Sequence, residues 1–242
     1  MSIIFGVNPV FEALRGGRRS VEKIAVADGV KIARFEDLMR QARSANVPVT
    51  RMPSAALDRA AGTRSHQGVV AWVGAARYAT LDDVIARMAE RPLVVLLDGV
   101  EDPHNLGAVV RTAECAGAAG IVIPERGAVG LTETVAKTSA GAIEHIPVAR
   151  VTNLVSAMET LKKEGAWVAG LEADGTTRYT DYDYSGPTAL VFGGEGHGLR
   201  RLVRERCDVL LNIPLFGAVT SLNVSVSVGV VLFEARRKMS RA

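Results

Sequence analysis

The chain has 242 residues, of which 48% are hydrophobic and 23% are charged. This is enough apolar sequence for one large or two modest folded domains, and it excludes an intrinsically disordered chain. The formal net charge is only +3, but residues 1–77 carry twelve Lys and Arg against six Asp and Glu. A basic N-terminal third predicts that a polyanion binds there, although an ordinary soluble surface would account for the charge as well.

The first residues lack the charged start and long apolar run of a signal peptide, and no stretch has about 18 uninterrupted apolar residues. We therefore expect a cytoplasmic protein that does not enter a membrane. Cys115 and Cys207 are too few for a disulfide framework, and both are predicted to be buried free thiols. The four histidines show no metal-ligand spacing with one another or with the cysteines, so no metal site is predicted.

Along residues 1–75 the apolar pattern alternates between the repeats of helices and of strands. Helices are predicted at 7–14, 33–45 and 54–61, and strands at 23–27, 47–51 and 68–73. Asn8 is the expected N-cap of the first helix. The alternation predicts a small α/β domain. Within it, the polar, basic loop 62–68 either contacts a phosphate backbone or is an ordinary connection.

Residues 76–91 are predicted to form a linker and the first helix of a second domain, which spans 92–242. Its first strand, 93–97, is continuously apolar, as is typical in the centre of a parallel sheet. A polar loop is expected from 98 to 107. The elements predicted after it are helices at 108–116, 134–140 and 153–164 and strands at 120–124, 146–148 and 167–171. This order predicts a parallel sheet with helices on both faces.

Near the C-terminus the strand 189–192 runs into residues 193–198, where four glycines surround a single acid, Glu195. Glycines permit positive φ and let a ligand approach the main chain closely. Their spacing is not that of a dinucleotide-binding fingerprint, and no phosphate-binding Lys-Ser or Lys-Thr follows. A further strand, 209–213, precedes an apolar helical stretch at 221–233. Because ligands of open α/β sheets bind at the carboxyl ends of strands, these segments predict a small-molecule site.

Three stretches together resemble a known family. Asn105-Leu-Gly-Ala-Val-Val-Arg111 resembles motif 1 of the SpoU family of RNA ribose 2′-O-methyltransferases, in the SPOUT superfamily. Val191-Phe-Gly-Gly-Glu-Gly-His-Gly-Leu199 is similar to motif 2, and Ile213-Pro-Leu215 with Ser221-Leu-Asn-Val-Ser-Val226 is similar to motif 3. The N-terminal part, with His66-Gln-Gly-Val-Val-Ala71, resembles the substrate-binding domain of the branch that methylates a guanosine of 23S rRNA.

The resemblance implies an α/β protein whose trefoil-knotted SPOUT domain binds S-adenosylmethionine, behind a small domain similar to ribosomal protein L30e. It implies 2′-O-methylation of a guanosine ribose in 23S rRNA by a homodimer. The apolar helix expected at 224–233 also favours a dimer, or else a buried core helix. Two alternatives stay open: a tRNA substrate, and an RNA-binding protein whose cofactor site is vestigial.

By analogy with motif 1, Arg111 is the central catalytic residue, expected to clamp the target phosphate and to stabilise the developing alkoxide charge. Asn105 is expected to orient the ribose or Arg111, or to cap a helix. Glu195 is expected to orient Arg111 or a loop, or to face the positive part of the cofactor. Ser221 and Asn223 are expected to contact cofactor or ribose from a helix start, with capping by Ser221 as the alternative.

Cofactor contacts are expected mainly from the main chain, because backbone donors and acceptors can hold adenine between apolar side chains. The residues that the resemblance implies are Gly193, Ile213, Leu215 and Leu222. For Ile213 and Leu215, packing in the core is the alternative. His104 and His197 are interpreted as solvated loop histidines.

Overall fold

The computed structural model describes residues 2–29, 35–194 and 196–240. The chain divides into two compact units. The first comprises Met1–Arg77 with Leu131–His145, and the second comprises Tyr78–Gly130 with Ile146–Ala242. The segment Leu131–His145 therefore belongs to the first unit, although the sequence prediction included it in the second domain. None of the helices in the described ranges is long and apolar enough to cross a membrane.

The described strands are β1 (Ser2–Phe5), β2 (Val21–Ala27), β3 (Val49–Met52), β4 (Val69–Val73), β5 (Leu93–Asp98), β6 (Gly120–Pro124), β7 (Val148–Val151), β8 (Trp167–Leu171), β9 (Thr177–Arg178), β10 (Thr188–Gly193) and β11 (Val209–Asn212). The described α-helices are α1 (Val7–Gly16), α2 (Glu36–Ser44), α3 (Ser54–Ala61), α4 (Leu81–Met88), α5 (Pro103–Cys115), α6 (Glu133–Thr138), α7 (Leu154–Lys163), α8 (Arg201–Glu205) and α9 (Val224–Met239). A short 3-10 helix spans Ala142–Glu144.

The first unit contains a four-stranded sheet in the order β1-β4-β2-β3. Strand β4 is antiparallel to both of its neighbours, whereas β2 and β3 are parallel. Because successive side chains of a strand point to opposite faces, β2 contributes to two cores. Ile24 packs with residues of α1 and α2 on one face, and Ala25 packs with Leu57 of α3 on the other.

The segment Leu131–His145 packs directly against α1. A Cβ on Gly16 would lie 2.4 Å from the Cβ of Glu144, so a larger residue does not fit at this crossing. The buried Arg19 donates a hydrogen bond from Nε to Oε1 of the buried Glu144 over 2.7 Å. His145 Nε2 lies 2.6 Å from Oε2 of Glu12. These contacts explain why the segment, although it lies between β6 and β7 in sequence, belongs to the first unit.

The second unit contains a seven-stranded sheet in the order β7-β6-β5-β10-β8-β11-β9, and all of its strand pairs are parallel. Strand β5 is buried along its whole length, as its apolar sequence predicted. Helices α4, α7 and α8 pack on a common core with Leu96, Met158 and Val191 among its members. Helix α5 packs against α9 and β6. The predicted parallel α/β architecture is confirmed.

The predicted loop at 98–107 is too long. Helix α5 begins at Pro103, because Asp102 Oδ1 accepts a hydrogen bond from His104 N over 2.8 Å and proline suits the first helical position. Cys115, at the end of α5, is exposed rather than buried, whereas Cys207 is partly buried.

The predicted cap of α1 is also wrong. Gly6 occupies the N-cap position in place of Asn8, and no side chain near it in sequence caps the helix. Instead, Gln67 Oε1 accepts a hydrogen bond from Val7 N over 3.0 Å. The helix predicted at 33–45 corresponds to α2, and positions 33 and 34 lie outside the described residues.

Candidate active site

The carboxyl ends of four neighbouring strands lie at one edge of the parallel sheet. Gly193 at the end of β10 is opposite Asp98 at the end of β5, and Phe192 is opposite Leu171 at the end of β8. Leu171 in turn is opposite Leu211 of β11. The segments that follow all four strands therefore begin at the same edge, where ligands of such sheets bind.

A cavity of about 480 Å³ opens at this edge, a volume typical of small-molecule sites. Its walls include Asp98, the last residue of β5, residues 99–102 that follow the strand, and Asn105 of α5. The glycine loop, defined as residues 193–199, contributes Gly194, His197 and Gly198, and α9 contributes Val224. Residues from each of the three sequence motifs thus line one cavity.

The glycine loop is closed at its neck by backbone contacts that exclude larger residues. A Cβ on Gly193 would lie 2.2 Å from the carbonyl carbon of Gly198, and a Cβ on Gly194 would lie 2.2 Å from the carbonyl oxygen of Gly99. Gly194 and Gly198 form an antiparallel bridge, and Gly194 N donates a hydrogen bond to Asp98 O over 2.8 Å. The loop is therefore held against the backbone that follows β5.

The side chain of Asp98 holds the residue that follows the loop. Its buried carboxylate accepts hydrogen bonds from Arg200 N at Oδ2 over 2.8 Å and from Arg200 Nε at Oδ1 over 2.5 Å. A terminal guanidinium nitrogen of Arg200 contacts the same carboxylate. Such charge-assisted partners offset the cost of burying a charge. The sequence prediction singled out neither residue, although an acid that ends a wholly apolar strand was the available signal.

Two asparagines connect the first and third motifs. Asn223 Nδ2 donates a hydrogen bond to Oδ1 of the buried Asn105 over 2.9 Å. Asn105 does not cap α5, because Asp102 occupies that position. Asn223 Oδ1 accepts a hydrogen bond from Ser225 N over 2.9 Å and so caps α9, a role that the sequence prediction had offered to Ser221. One amide side chain thus both starts a helix and reaches the cavity wall.

Comparison with known proteins agrees with this geometry. The family model of the SpoU rRNA Methylase family matches residues 92–233. The chain belongs to this family. A second family model, for RNA 2′-O ribose methyltransferase substrate binding, matches residues 3–79.

Two relatives of this SpoU methylase match nearly its whole length, and a third matches about two thirds of it. YacO of Bacillus subtilis, whose name places it among TrmH family tRNA/rRNA methyltransferases, is 45% identical over 97% of this chain and 95% of its own. The structure of an AdoMet-bound rRNA methyltransferase from Sinorhizobium meliloti is 27% identical, with a TM-score of 0.80 over 97% of this chain and 86% of that chain. The A. aeolicus TrmH/SpoU tRNA modifying enzyme is 27% identical, with a TM-score of 0.57 over 66% of this chain and 83% of that chain.

The SpoU motif residue Arg111 lies on α5 outside the walls of the cavity, and its side chain is exposed. Within the part of the chain that the structure describes, the side chains of Arg111 and of the exposed Ser221 form no hydrogen bond and no ion pair. Glu195 lies outside the described residues. The structure therefore brings Asn105 and Asn223 together and leaves Arg111 and Ser221 available to a ligand.

The expected cofactor residues follow the strand ends at the same edge. Gly193 forms the neck of the glycine loop, and Ile213, two positions after Leu211, is half-buried. Leu215 is 38% exposed and Leu222 is 41% exposed. Packing of Leu215 in the core is therefore excluded, whereas contact with a ligand is compatible with its exposure.

Proposed function

We propose that this SpoU methylase uses S-adenosylmethionine to methylate the ribose 2′-hydroxyl of a guanosine in 23S rRNA, in the cytoplasm and as a homodimer. Membership of the family makes the chain an RNA 2′-O-methyltransferase, and the RNA class and nucleotide are the proposal. The observation that supports a methyltransferase site is that Asn105, the glycine loop and Val224, from three separate motifs, line one cavity.

The cavity walls are chemically suited to the cofactor, which supplies a methyl group activated by a positively charged sulfonium. Three carboxylates, those of Asp98, Glu101 and Asp102, lie in the walls. Arg200 compensates the charge of Asp98, whereas Glu101 and Asp102 are exposed. Residual negative charge favours a cationic ligand. Adenine is proposed to lie beside this cavity, on the main chain of Gly193, Ile213, Leu215 and Leu222, none of which is among its walls.

The proposed roles of the side chains follow from their surroundings. Arg111 is exposed, and no described residue forms a hydrogen bond or an ion pair with its guanidinium, which is therefore available to a phosphate of the RNA. Because arginine stays protonated, we assign it to binding this phosphate and stabilising alkoxide charge rather than to removing the proton. The amide pair of Asn105 and Asn223 orients the ribose, so that the hydroxyl oxygen and the methyl group are in line. Glu195 and Ser221 are proposed to contact the ligands.

The first unit favours ribosomal RNA. Residues 1–77 carry a net charge of +6, from twelve basic and six acidic residues, and residues 3–79 match the substrate-binding family model. The Sinorhizobium meliloti rRNA enzyme matches 97% of this chain, whereas the tRNA modifying enzyme matches 66% of it. The rRNA enzyme therefore matches about a third more of this chain than the tRNA modifying enzyme does, which supports an rRNA substrate.

Exposed apolar side chains in the second unit support a homodimer. Phe216 is 98% exposed, Val219 73%, Val226 49% and Phe233 53%. Val226 and Phe233 are seven positions apart on α9 and so share one face of the helix, and large exposed apolar groups on one surface mark protein interfaces. Light scattering of the purified chain is expected to give twice the chain mass of 25.7 kDa, and a mass of a single chain would contradict the dimer.

The substrate is tested by transfer of a labelled methyl group from S-adenosylmethionine to purified 23S rRNA and to purified tRNA. We expect label in 23S rRNA alone, recovered after nuclease digestion as 2′-O-methylguanosine. Label in tRNA alone would favour the tRNA alternative. Binding of RNA without binding of cofactor would favour a vestigial site.

A further inference from the structure

We infer that Glu172, which lies outside all three motifs, is a positioning residue that keeps the glycine loop and the end of β11 in the relative position that the cofactor requires. The inference rests on the proposed function, because it concerns the same cofactor site. Glu172 follows β8 directly and is half-buried. It does not line the cavity, so any effect that it has on the cofactor acts through the segments that it contacts.

The carboxylate of Glu172 contacts the end of the glycine loop. Its Oε1 accepts a hydrogen bond from the backbone N–H of the buried Leu199 over 2.6 Å. A Cβ on Gly198, where φ is +63°, would lie 2.9 Å from each of the two carboxylate oxygens. The carboxylate therefore packs against the loop backbone at two consecutive residues. A hydrogen bond from a backbone N–H to an ionised carboxylate is among the stronger hydrogen bonds in proteins.

The main chain of the same residue contacts β11. Glu172 N donates a hydrogen bond to Leu211 O over 2.9 Å, and Gly175 N donates to Glu172 O over 3.1 Å. This tight turn lies directly on β11, because a Cβ on Gly175 would be 2.5 Å from the carbonyl carbon of Leu211. Asn212 Nδ2 also donates to Gly175 O over 2.5 Å. The next residue along the chain is Ile213, one of the expected cofactor residues.

Glu172 thus connects the glycine loop, which belongs to motif 2, with the strand that leads into motif 3. Its side chain holds the loop that starts at Gly193, and its main chain holds the strand that leads to Ile213. Main-chain contacts with a planar ligand depend on the distance between the two segments. When the segments are already held in place, binding does not pay the entropic cost of ordering them, and affinity is higher. Loss of the carboxylate contact is therefore expected to weaken cofactor binding, with little effect on turnover once the cofactor saturates the site.

Two substitutions separate the effect of the length of the Glu172 side chain from the effect of its charge. Glu172→Gln keeps an oxygen at the same distance from Leu199 N but removes the charge, whereas Glu172→Asp keeps the charge but is one methylene shorter. Asp174→Asn is the matched control, because this nearby exposed carboxylate contacts Arg204. The measurements are the Kd for S-adenosylmethionine by calorimetry, kcat at saturating cofactor, affinity for RNA, and the unfolding temperature.

We expect Glu172→Asp to raise the Kd about tenfold or more, as loss of a charge-assisted hydrogen bond predicts. Glu172→Gln and Asp174→Asn are expected to stay within about threefold of the wild-type Kd, because both leave the loop contact in place. Equal cofactor affinity in all variants would contradict the role of Glu172. Loss of affinity in Glu172→Gln but not in Glu172→Asp would contradict it as well, because the charge itself would then act on the ligand.

Separate measurements report on the folding of the Glu172 variants and on the proposed function. If Glu172→Asp does not fold, hydrogen exchange of the Leu199 amide in Glu172→Gln decides the question together with its Kd. An amide that stays protected while cofactor affinity is lost would contradict the inference, and protection with retained affinity supports it. A wild-type chain that binds no S-adenosylmethionine would overturn the proposed function itself, and this inference with it.

Discussion

Asn223 donates a hydrogen bond from Nδ2 to Oδ1 of Asn105 over 2.9 Å, although the two residues are 118 positions apart in the chain. The bond joins the first turn of α5 to the start of α9, and so the first motif to the third. Asn223 also caps α9 through its other amide atom, Oδ1. Stability of the helix and geometry of the site therefore depend on different atoms of one side chain, which makes them separable by substitution.

Asn223→Asp retains an oxygen that caps α9 but removes the amide donor to Asn105. We expect the free energy of unfolding to fall by about 1 kcal/mol, the usual value of one hydrogen bond, and methyl transfer to fall at least tenfold. Asn223→Ala also loses the cap, which costs about 1 kcal/mol more. Chemical denaturation and single-turnover methylation provide the two measurements. Full activity in Asn223→Asp would show that the amide pair is not needed.

Arg111→Ala is expected to lower turnover by about two to three orders of magnitude, because it removes a cation that stabilises developing negative charge. Cofactor affinity and unfolding temperature are expected to stay at wild-type values, since Arg111 is exposed and lies outside the cavity walls. Arg206→Ala serves as the control for the loss of an exposed arginine, because Arg206 faces Glu159 at the surface. Calorimetry with S-adenosylmethionine and a methylation assay separate the two effects. Turnover that survives in Arg111→Ala contradicts the role given to Arg111.

Gly193→Ala tests the neck of the glycine loop. The added Cβ would lie 2.2 Å from the carbonyl carbon of Gly198, so the backbone must shift. We expect a loss of about 1–3 kcal/mol in stability, as for other overpacked sites, together with weaker cofactor binding. Gly186→Ala is the matched control, because no atom lies within 4 Å of its Cβ position and its stability is expected to be unchanged. Thermal unfolding of the two variants is the measurement, and equal unfolding temperatures would contradict the close approach.

The two cysteines are expected to react differently with a maleimide. Burial raises the pKa of the Cys207 thiol to about 12, so at pH 8 it is almost entirely in its unreactive, protonated form. Cys115 is exposed. Mass spectrometry is expected to show one modification of the native protein, none in Cys115→Ser, and two after unfolding of the wild type. Rapid labelling of native Cys115→Ser would show that Cys207 is accessible.

Features that depend on residues close in sequence were predicted well. The continuous apolar run of β5 predicted a buried parallel strand. The glycines at 193–198 predicted a loop at the carboxyl end of the strand that precedes them, β10. The three motifs predicted the family that the family model confirms. The predictions that failed, the cap of α1 and the start of α5, depend on which side chain caps a helix. For α1 that side chain is Gln67, 60 positions from its partner.

The sequence by itself determined the parallel α/β class and the family, because apolar periodicity and short motifs are local properties of a chain. Only the tertiary structure decided that Asp98 holds Arg200, 102 positions away, and that Glu172 holds Leu199. It also decided that Glu144 pairs with Arg19 in the first unit. The residues next to a carboxylate in sequence do not show whether it is solvated or buried. Only the folded chain brings the N–H group or guanidinium that makes its burial stable.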